Sequence, residues 1–289
     1  MTSFKNPFLC IGLRPADYYM CSGVRPAFKG RRMATKIRYL GVAAFEITNS
    51  NGAVVLIDPY IDENVSSPIK TSELKRVDLI LVTHAASDHL GDTAKLSKKF
   101  NAPIVCGADV KAHLMREGIQ PEKISATIWG LLLEIAGMRV RSIESRHYSG
   151  ITEPDGTYYS AQPMGFIIYP EPGVRIYDGG DTSLFSDLKL IGQLYKPNIG
   201  LIHVTTPTRH MARHKMPIFM TGEMSPYEAA LASQWLGLEY AIAMHFDTTH
   251  DEPDVRAFVD LLNKSTEQDA RTKPIVLKFG ETFEYEAKE

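Results

Sequence analysis

A buried strand that runs directly into a cluster of histidine and aspartate residues constrains the fold of this chain more than any other feature. The aliphatic run 77–82 predicts a buried strand. His84, Asp88 and His89 follow it at once. A loop that leaves a strand can direct consecutive side chains toward one point, so these three residues are candidate metal ligands. The alternative is a helix amino terminus capped by Ser87 or Asp88, with both histidines exposed.

Composition excludes several classes of protein. The chain has 289 residues, of which 44% are hydrophobic, a net charge of −2 and a pI near 6.5. It can bury one large core or two modest ones, and its charge argues against a nucleic-acid partner or an acidic membrane surface. No apolar run approaches the roughly 20 residues of a membrane-spanning helix. We therefore expect a cytoplasmic enzyme with a small-molecule substrate, and the sequence is compatible with a homo-oligomer.

The cysteines indicate a reducing compartment. The chain has three cysteines, an odd number, and they do not have the spacing of a metal-binding knuckle. They are Cys10, Cys21 and Cys106. Cys106 lies in the apolar segment 102–106, so we expect a buried and unreactive thiol there.

The first 32 residues are basic, and Asp17 is their single acid. They show no periodic apolar pattern, so they predict no core element. Three explanations stay open: a disordered or surface arm, an organellar transit segment, and a start codon placed too early, with Met33 as the true start. We favour the early start. We expect residues 1–35 to form an amino-terminal arm and 36–289 to form a single domain.

The rest of the chain has the pattern of two layered halves. Three short strands and a turn at 49–52 open a β-meander. Strands and helices then alternate, and the second half repeats this order. The predicted strands are 37–40, 44–48, 54–57, 77–82, 104–106, 139–144, 165–169, 174–177, 199–204, 240–247 and 275–279, and the predicted helices are 93–100, 108–117, 183–195, 225–236 and 254–263.

More acids and histidines stand where a predicted strand ends. His147 follows the strand 139–144, Asp181 follows two glycines after the strand 174–177, and His245 ends the strand that begins at residue 240. Glycines ahead of a carboxylate let the backbone approach a neighbour closely. His203 lies inside an apolar strand, and we expect it to be a hydrogen-bonded core residue. We assign no function to Asp178.

The motif His84-x-x-x-Asp88-His89, followed by Leu-Gly-Asp, resembles the signature loop His-x-His-x-Asp-His of the metallo-β-lactamase superfamily. It is most similar to the branch that resembles L-ascorbate-6-phosphate lactonase. Ala86 stands where that loop has its second histidine. The resemblance extends from residue 36 to about residue 279. It implies an α/β protein with the αββα four-layer sandwich of that superfamily.

The resemblance also implies the metal ligands. Asp88, His89 and His245 would hold one ion together with Asp181. His84, His147 and Asp181 would hold a second ion more weakly, because Ala86 replaces its remaining histidine. Asp58 would accept a hydrogen bond from a ligand histidine, although Asp-Pro at a strand end is also an ordinary turn. We expect one or two ions, with zinc as the leading candidate, and mixed histidine and carboxylate ligands also suit manganese or iron.

This ligand set implies a hydrolase. Metal-bound hydroxide would attack a carbonyl or phosphoryl centre, and Asp88 would orient the nucleophile. The alternatives are a retired member that acts as a binding or scaffold protein, and an iron-dependent redox member of the fold. The polar segment 205–224 is either a lid or a solvated loop. We expect a small anionic substrate, a lactone, ester or phosphodiester, with contacts from Arg146, Tyr148, Arg209, His210, Arg213 and His214.

Overall fold

The computed structural model describes residues 34–205, 222–246, 249–264 and 272–287. All of them lie in the unit Met33–Glu289, which is distinct from a second unit, Met1–Arg32. The residues of the expected amino-terminal arm up to Met33 are therefore outside the described residues, as are Cys10 and Cys21.

Strands are numbered in chain order, and the first large sheet has the order β16-β1-β2-β3-β4-β5-β6. Neighbours are antiparallel from β16 to β3 and parallel from β3 to β6. Its strands are β1 (Ala34–Gly41), β2 (Ala44–Thr48), β3 (Val54–Ile57), β4 (Leu79–Leu81), β5 (Ile104–Cys106), β6 (Ile124–Ala126) and β16 (Thr282–Glu286).

The second large sheet repeats this arrangement in the order β15-β14-β13-β12-β11-β8-β7. Neighbours are antiparallel from β7 to β12 and parallel from β12 to β15. Its strands are β7 (Leu132–Ile135), β8 (Met138–Glu144), β11 (Met164–Tyr169), β12 (Ile176–Asp178), β13 (Ile199–His203), β14 (Tyr240–Met244) and β15 (Lys273–Ile275), while β9 (Gly150–Thr152) and β10 (Tyr158–Ser160) form a separate ribbon.

The described ranges contain six helices, of which the short α1 carries Asp88 and His89 after β4 and the others cover the outer faces of the sheets. They are α1 (Ser87–Leu90), α2 (Thr93–Phe100), α3 (Ala108–Arg116), α4 (Leu188–Tyr195), α5 (Pro226–Trp235) and α6 (Pro253–Lys264), and a short 3₁₀ turn covers Pro121–Lys123. None of these helices is long and apolar enough to cross a membrane.

Alternation along the central strands shows how the layers stack. Leu79 and Leu81 of β4 join the apolar cluster between the two sheets. Ile80, between them, faces the other way and packs in a second cluster with Leu96 of α2 and Val110 of α3. Successive side chains of a strand point to opposite faces, so an uninterrupted aliphatic run is buried on both. Helices α4, α5 and α6 pack outside the second sheet, and the αββα four-layer sandwich is confirmed.

Cys106, at the end of β5, is fully buried in the cluster beneath α2 and α3. Burial raises the pKa of its thiol far above the usual range. The expected unreactive thiol agrees with this environment, because a buried thiol does not form the nucleophilic thiolate.

Three predicted boundaries differ from the structure. The helix expected at 183–195 begins at Leu188, and the residues before it are irregular, with the backbone N–H of Ser183 donating to the carbonyl of Arg146 at 3.0 Å. The strand expected at 275–279 is Lys273–Ile275, and a turn at Lys278 then leads into β16. The strand expected at 37–40 is Ala34–Gly41, because it pairs with β16 from its first residue.

The capping box predicted at the start of α5 is confirmed. Oγ of Ser225 accepts from the backbone N–H of Glu228 at 3.4 Å, and the Glu228 carboxylate accepts from the backbone N–H of Ser225 at 2.9 Å. Two amide hydrogens without helical partners are thereby satisfied. This cap holds the chain where it enters α5 and bears on the site described next.

Candidate metal centre

The site lies at the carboxyl ends of the strands, where both large sheets present loops. Asp58 follows β3, His84 follows β4, His147 follows β8, Asp181 follows β12 and His245 follows β14. Carboxyl ends of neighbouring parallel strands meet at one edge, which is where layered α/β proteins form their sites. The structure therefore brings together side chains that are far apart in the sequence.

Asp181 stands at the centre of this group. Its Oδ2 lies 3.2 Å from Nε2 of His89, and its Oδ1 lies 3.2 Å from Nε2 of His245. Its Oδ2 is also 4.0 Å from Nε2 of His84 and 3.9 Å from Nε2 of His147. One buried carboxylate thus faces four imidazoles.

The described residues contain three groups of possible ligands, and the ligand atoms of each group lie within 4.8 Å of one another. Two groups share no residue: one is His84, His147 and Asp181, and the other is Asp88, His89 and His245. In the latter, Oδ2 of Asp88 lies 3.8 Å from Nε2 of His245. These two groups match the two ion sites that the resemblance implies, except that Asp181 falls in only one of them. The third group includes Asp181 and His245.

Each deeply buried histidine has its Nδ1 engaged outside the centre. Nδ1 of His84 is 3.0 Å from Oγ1 of Thr83, and Nδ1 of His89 is 2.6 Å from Oδ2 of Asp58. Nδ1 of His245 is 2.9 Å from the carbonyl of Thr205. Such partners favour the hydrogen on Nδ1, which leaves the Nε2 lone pair directed at the centre.

Several atoms that face the centre are buried and have no hydrogen-bond partner among the described residues. Burying an unsatisfied polar atom costs about 1–3 kcal/mol. A metal cation satisfies imidazole nitrogens and carboxylate oxygens together, so this set fits a metal site. The unpartnered atoms are Nε2 of His84, Nε2 of His89, Nε2 of His245 and Oδ1 of Asp181.

The histidines differ in charge. Burial lowers the pKa of His84 well below its usual value, and burial also lowers the pKa of His147. Burial by itself lowers the pKa of His245 too, but the Asp181 carboxylate outweighs it and raises the value to about 9. In His89, Asp181 and Asp58 likewise outweigh burial and raise the pKa. A cation must therefore displace protons from two of the histidines, so its affinity falls as pH decreases.

Asp58 and Thr83 form hydrogen bonds to the side of the histidine rings that faces away from the centre. The Asp58 carboxylate accepts from the backbone N–H of Thr83 at 2.8 Å and from its hydroxyl at 2.7 Å, in addition to His89. Asp58 has φ 44° and His245 has φ 70°, a region that residues other than glycine rarely adopt. Backbone strain of this kind persists where the surroundings hold a functional side chain in place.

The loop that carries Asp181 approaches the signature loop closely, as its glycines predict. Gly180 has φ 54°, and a Cβ there would lie 2.7 Å from Thr83. The Asp178 carboxyl accepts from the backbone N–H of Gly180 at 2.9 Å. Burial, followed by the charge of Asp58, raises the pKa of Asp178 to about 8. Asp178, to which the sequence assigned no function, therefore shapes this loop.

His203 is the hydrogen-bonded core residue that its apolar strand predicts. Its Nδ1 is 3.2 Å from the carbonyl of Gly180, and its Nε2 accepts from the backbone N–H of Met224 at 2.7 Å. It therefore joins the Asp181 loop to the segment ahead of α5. Burial lowers its pKa to about 4.

The low pKa of His203 predicts a pH-dependent stability. Between about pH 6.5 and pH 4 the unfolded chain binds a proton at this position and the folded chain does not, so stability is lost as pH falls through this window. In the parent, the His203 contribution should lower the unfolding free energy by about 2 kcal/mol between pH 7 and pH 5. His203→Gln does not titrate and should not show this part of the loss. Urea unfolding at both pH values measures it, with the exposed His250→Gln as control. If His203→Gln and the parent lost equal unfolding free energy between pH 7 and pH 5, His203 would not have a lowered pKa.

The expected substrate contacts are only partly described. Arg146 and Tyr148 flank His147 on the loop after β8. The Arg146 guanidinium is 2.9 Å from the Glu144 carboxylate and stacks on Phe185. Tyr148 is 62% exposed, and its hydroxyl bonds to that of Tyr158. Most of the segment 205–224 lies outside the described residues. It includes the other expected substrate contacts, which are Arg209, His210, Arg213 and His214.

Two nearby residues were missed by the sequence analysis. Thr83 follows the predicted strand 77–82, and only its contacts with Asp58 and the histidines reveal its role. Glu223 lies in the polar segment 205–224, and its carboxylate lies within 4.8 Å of ligand atoms of Asp181 and His245. No local pattern distinguishes either residue, because both approach the centre through the fold.

Comparison with known proteins identifies the family and agrees with the fold. The profile of the beta-lactamase superfamily domain matches residues 54–246. The chain belongs to the metallo-β-lactamase superfamily. Within it, the chain is 34% identical over 255 residues to a UPF0173 metal-dependent hydrolase of Methanobrevibacter smithii, covering 86% of this chain and 97% of that protein. It is a metal-dependent hydrolase.

Solved structures share the fold. Igni18, a metallo hydrolase from Ignicoccus hospitalis, has a TM-score of 0.69 and 24% identity, and the match covers 88% of this chain and all of that one. CmlA, a diiron β-hydroxylase from Streptomyces venezuelae, has a TM-score of 0.61 and 12% identity, covering 87% of this chain and 54% of that one. At these identities the likeness concerns the fold alone.

Proposed function

We propose that this metal-dependent hydrolase acts on a small anionic lactone, ester or phosphodiester. The observation that carries the proposal is the convergence of buried, unpartnered imidazole nitrogens on the Asp181 carboxylate. An environment of this kind holds a cation, and an open position beside it accepts a substrate oxygen. The side chains that would hold the metal are His84, Asp88, His89, His147, Asp181 and His245.

Zinc is our leading candidate for the metal, with manganese or iron as alternatives. When bound, such an ion lowers the pKa of water to about 7 and polarises a carbonyl or phosphoryl oxygen. Within the chain, we assign Asp88 to hold and orient the attacking water, because its carboxylate lies at the margin of the centre and its side chain is 15% exposed. Asp58 keeps the His89 ring in place.

We assign the anionic part of the substrate to the loop after β8. The Arg146 guanidinium is half exposed and its partner, Glu144, lies on the same strand end. A substrate carboxylate or phosphate can compete for that guanidinium through charge-assisted hydrogen bonds. The exposed Tyr148 adds a hydroxyl donor on the same loop.

The first experiment is metal analysis on protein purified without chelators or nickel, followed by hydrolysis assays. The panel pairs anionic lactones, esters and phosphodiesters with neutral counterparts, in the presence of zinc, manganese or iron. We expect turnover of one anionic class that a chelator abolishes and the metal restores. A metal-loaded chain that hydrolyses none of them would refute this substrate class, and a preference for the neutral counterparts would refute the role of the anion.

Restoring the missing histidine should strengthen the second ion site. We expect Ala86→His to raise the metal content from about one ion per chain toward about two, because it completes the ligands beside His84 and His147. Elemental analysis after dialysis measures this. Ser87→His, at the neighbouring exposed position, should bind no additional metal. If Ala86→His binds no more metal than the parent, residue 86 does not face the second site.

A further inference from the structure

One more carboxylate reaches the centre from an element that the signature motifs do not include. Glu223 precedes α5 and is partly buried. Its carboxylate oxygen, a carboxylate oxygen of Asp181 and a ring nitrogen of His245 all lie within 4.8 Å of one another. The resemblance to the superfamily assigns no ligand to this position.

The segment around Glu223 is held on its carboxyl side and passes close to His147 on its amino side. The backbone N–H of Met224, the next residue, donates to Nε2 of His203 at 2.7 Å, and the Met224 side chain is buried. The capping box at Ser225 then fixes the entry into α5. On the other side, a Cβ on Gly222 would lie 3.4 Å from Nδ1 of His147. The segment therefore passes beside His147 and places Glu223 next to His245.

Two atoms beside Glu223 are buried and make no hydrogen bond of good geometry among the described residues. They are Oδ1 of Asp181 and Nε2 of His245, which lie 3.2 Å apart as an ion pair. A carboxylate oxygen of Glu223 lies within 4.8 Å of the ligand atoms of both residues. A cation placed there would contact an imidazole and two carboxylates, a combination that metal sites use widely.

We propose that Glu223 is an additional ligand of the metal centre, shared with Asp181 and His245. The proposal rests on the metal site of the proposed function. In this centre an imidazole is missing at Ala86, and a carboxylate is gained at Glu223. Carboxylates suit manganese better than imidazoles do, whereas zinc is held well by a few histidines. Glu223 therefore shifts the preference of the centre from zinc toward manganese.

The test measures metal binding directly and does not depend on activity. Metal-free protein is titrated with Mn²⁺ and with Zn²⁺ by calorimetry, and bound Mn²⁺ is counted by electron paramagnetic resonance. We expect Glu223→Gln to weaken Mn²⁺ binding at least tenfold, the lower end of the roughly 10–100-fold effect of losing an outer-shell partner, and to weaken Zn²⁺ binding less. Glu223→Asp, which retains a carboxylate, should lie between Glu223→Gln and the parent.

The matched control is Glu122→Gln. Glu122 is exposed and lies in the turn Pro121–Lys123 ahead of β6, at the opposite end of the parallel strands from the centre. The Glu122→Gln variant should bind Mn²⁺ and Zn²⁺ with the affinities of the parent. Circular dichroism and thermal unfolding establish whether each variant is folded. If Glu223→Gln does not fold, the metal affinity of Glu223→Asp tests the ligand role instead.

The outcomes separate this proposal from the proposed function. Glu223→Gln with parental affinity for both cations would overturn the ligand role, even in an active hydrolase. Equal weakening of Mn²⁺ and Zn²⁺ would overturn the shift in preference. If the parent binds metal, shows the Glu223 effect and hydrolyses none of the substrates, the ligand role stands and the substrate proposal fails. A parent that binds neither cation would refute both.

Discussion

Asp181→Asn should abolish metal binding at both ion sites and reduce hydrolysis by more than about 100-fold. The Asp181 carboxylate lies within 4.0 Å of Nε2 in all four histidines of the centre. Changes in partners outside the ligand shell cost about 10–100-fold, and loss of a shared ligand should exceed that range. The amide keeps the volume of the side chain but loses its charge, so the effect reports on electrostatics rather than packing.

Metal content and hydrolysis rate are the two measurements for Asp181→Asn. Asp187→Asn, the same change at an exposed position six residues later, is the control and should match the parent. If Asp181→Asn retained the metal content of the parent, Asp181 would not be a ligand. Loss of the ion from only one of the two sites, measured at saturating metal, would assign Asp181 to that site alone.

Asp58→Asn should lower metal affinity by about 10–100-fold, without removing a ligand. The Asp58 carboxylate accepts three hydrogen bonds, two from Thr83 and one from Nδ1 of His89. An amide group in either orientation turns a nitrogen donor toward one of these donors. If the nitrogen replaces Oδ2, the His89 ring must rotate or move its hydrogen to Nε2, and either change removes the Nε2 lone pair from the metal; if it replaces Oδ1, it repels the Thr83 N–H and strains the loop that carries His84. We also expect a loss of about 1–3 kcal/mol in unfolding free energy from the unsatisfied groups.

Competition titration against a chelator measures the affinity of Asp58→Asn, and urea unfolding measures its stability. Thr83→Ser retains the hydroxyl that donates to Asp58, so it should keep most of the affinity. An Asp58→Asn protein with parental affinity would show that Asp58 only forms the turn after β3. This result would favour the simpler explanation of Asp-Pro at a strand end.

Local patterns predicted much of the fold. The strands 44–48 and 54–57, the helix 93–100 and the cap at Ser225 agree with the structure, because each follows from apolar period or from side chains adjacent in sequence. The weakly patterned elements were missed. The outer strands β7, β9, β10 and β16 carry few buried residues, so they show little apolar signal.

The sequence by itself determined which histidines and aspartates stand at the ends of strands, since the change from an aliphatic run to polar residues is local. With the superfamily motif, this was enough to name the residues around Asp181. Only the tertiary structure decided what holds them. The contacts of the Thr83 hydroxyl, the burial of Asp178 and the approach of Glu223 depend on distant segments that meet, as in the hydrogen bond from Met224 to His203. Such contacts exist only after the two sheets have stacked, and no local spacing encodes them.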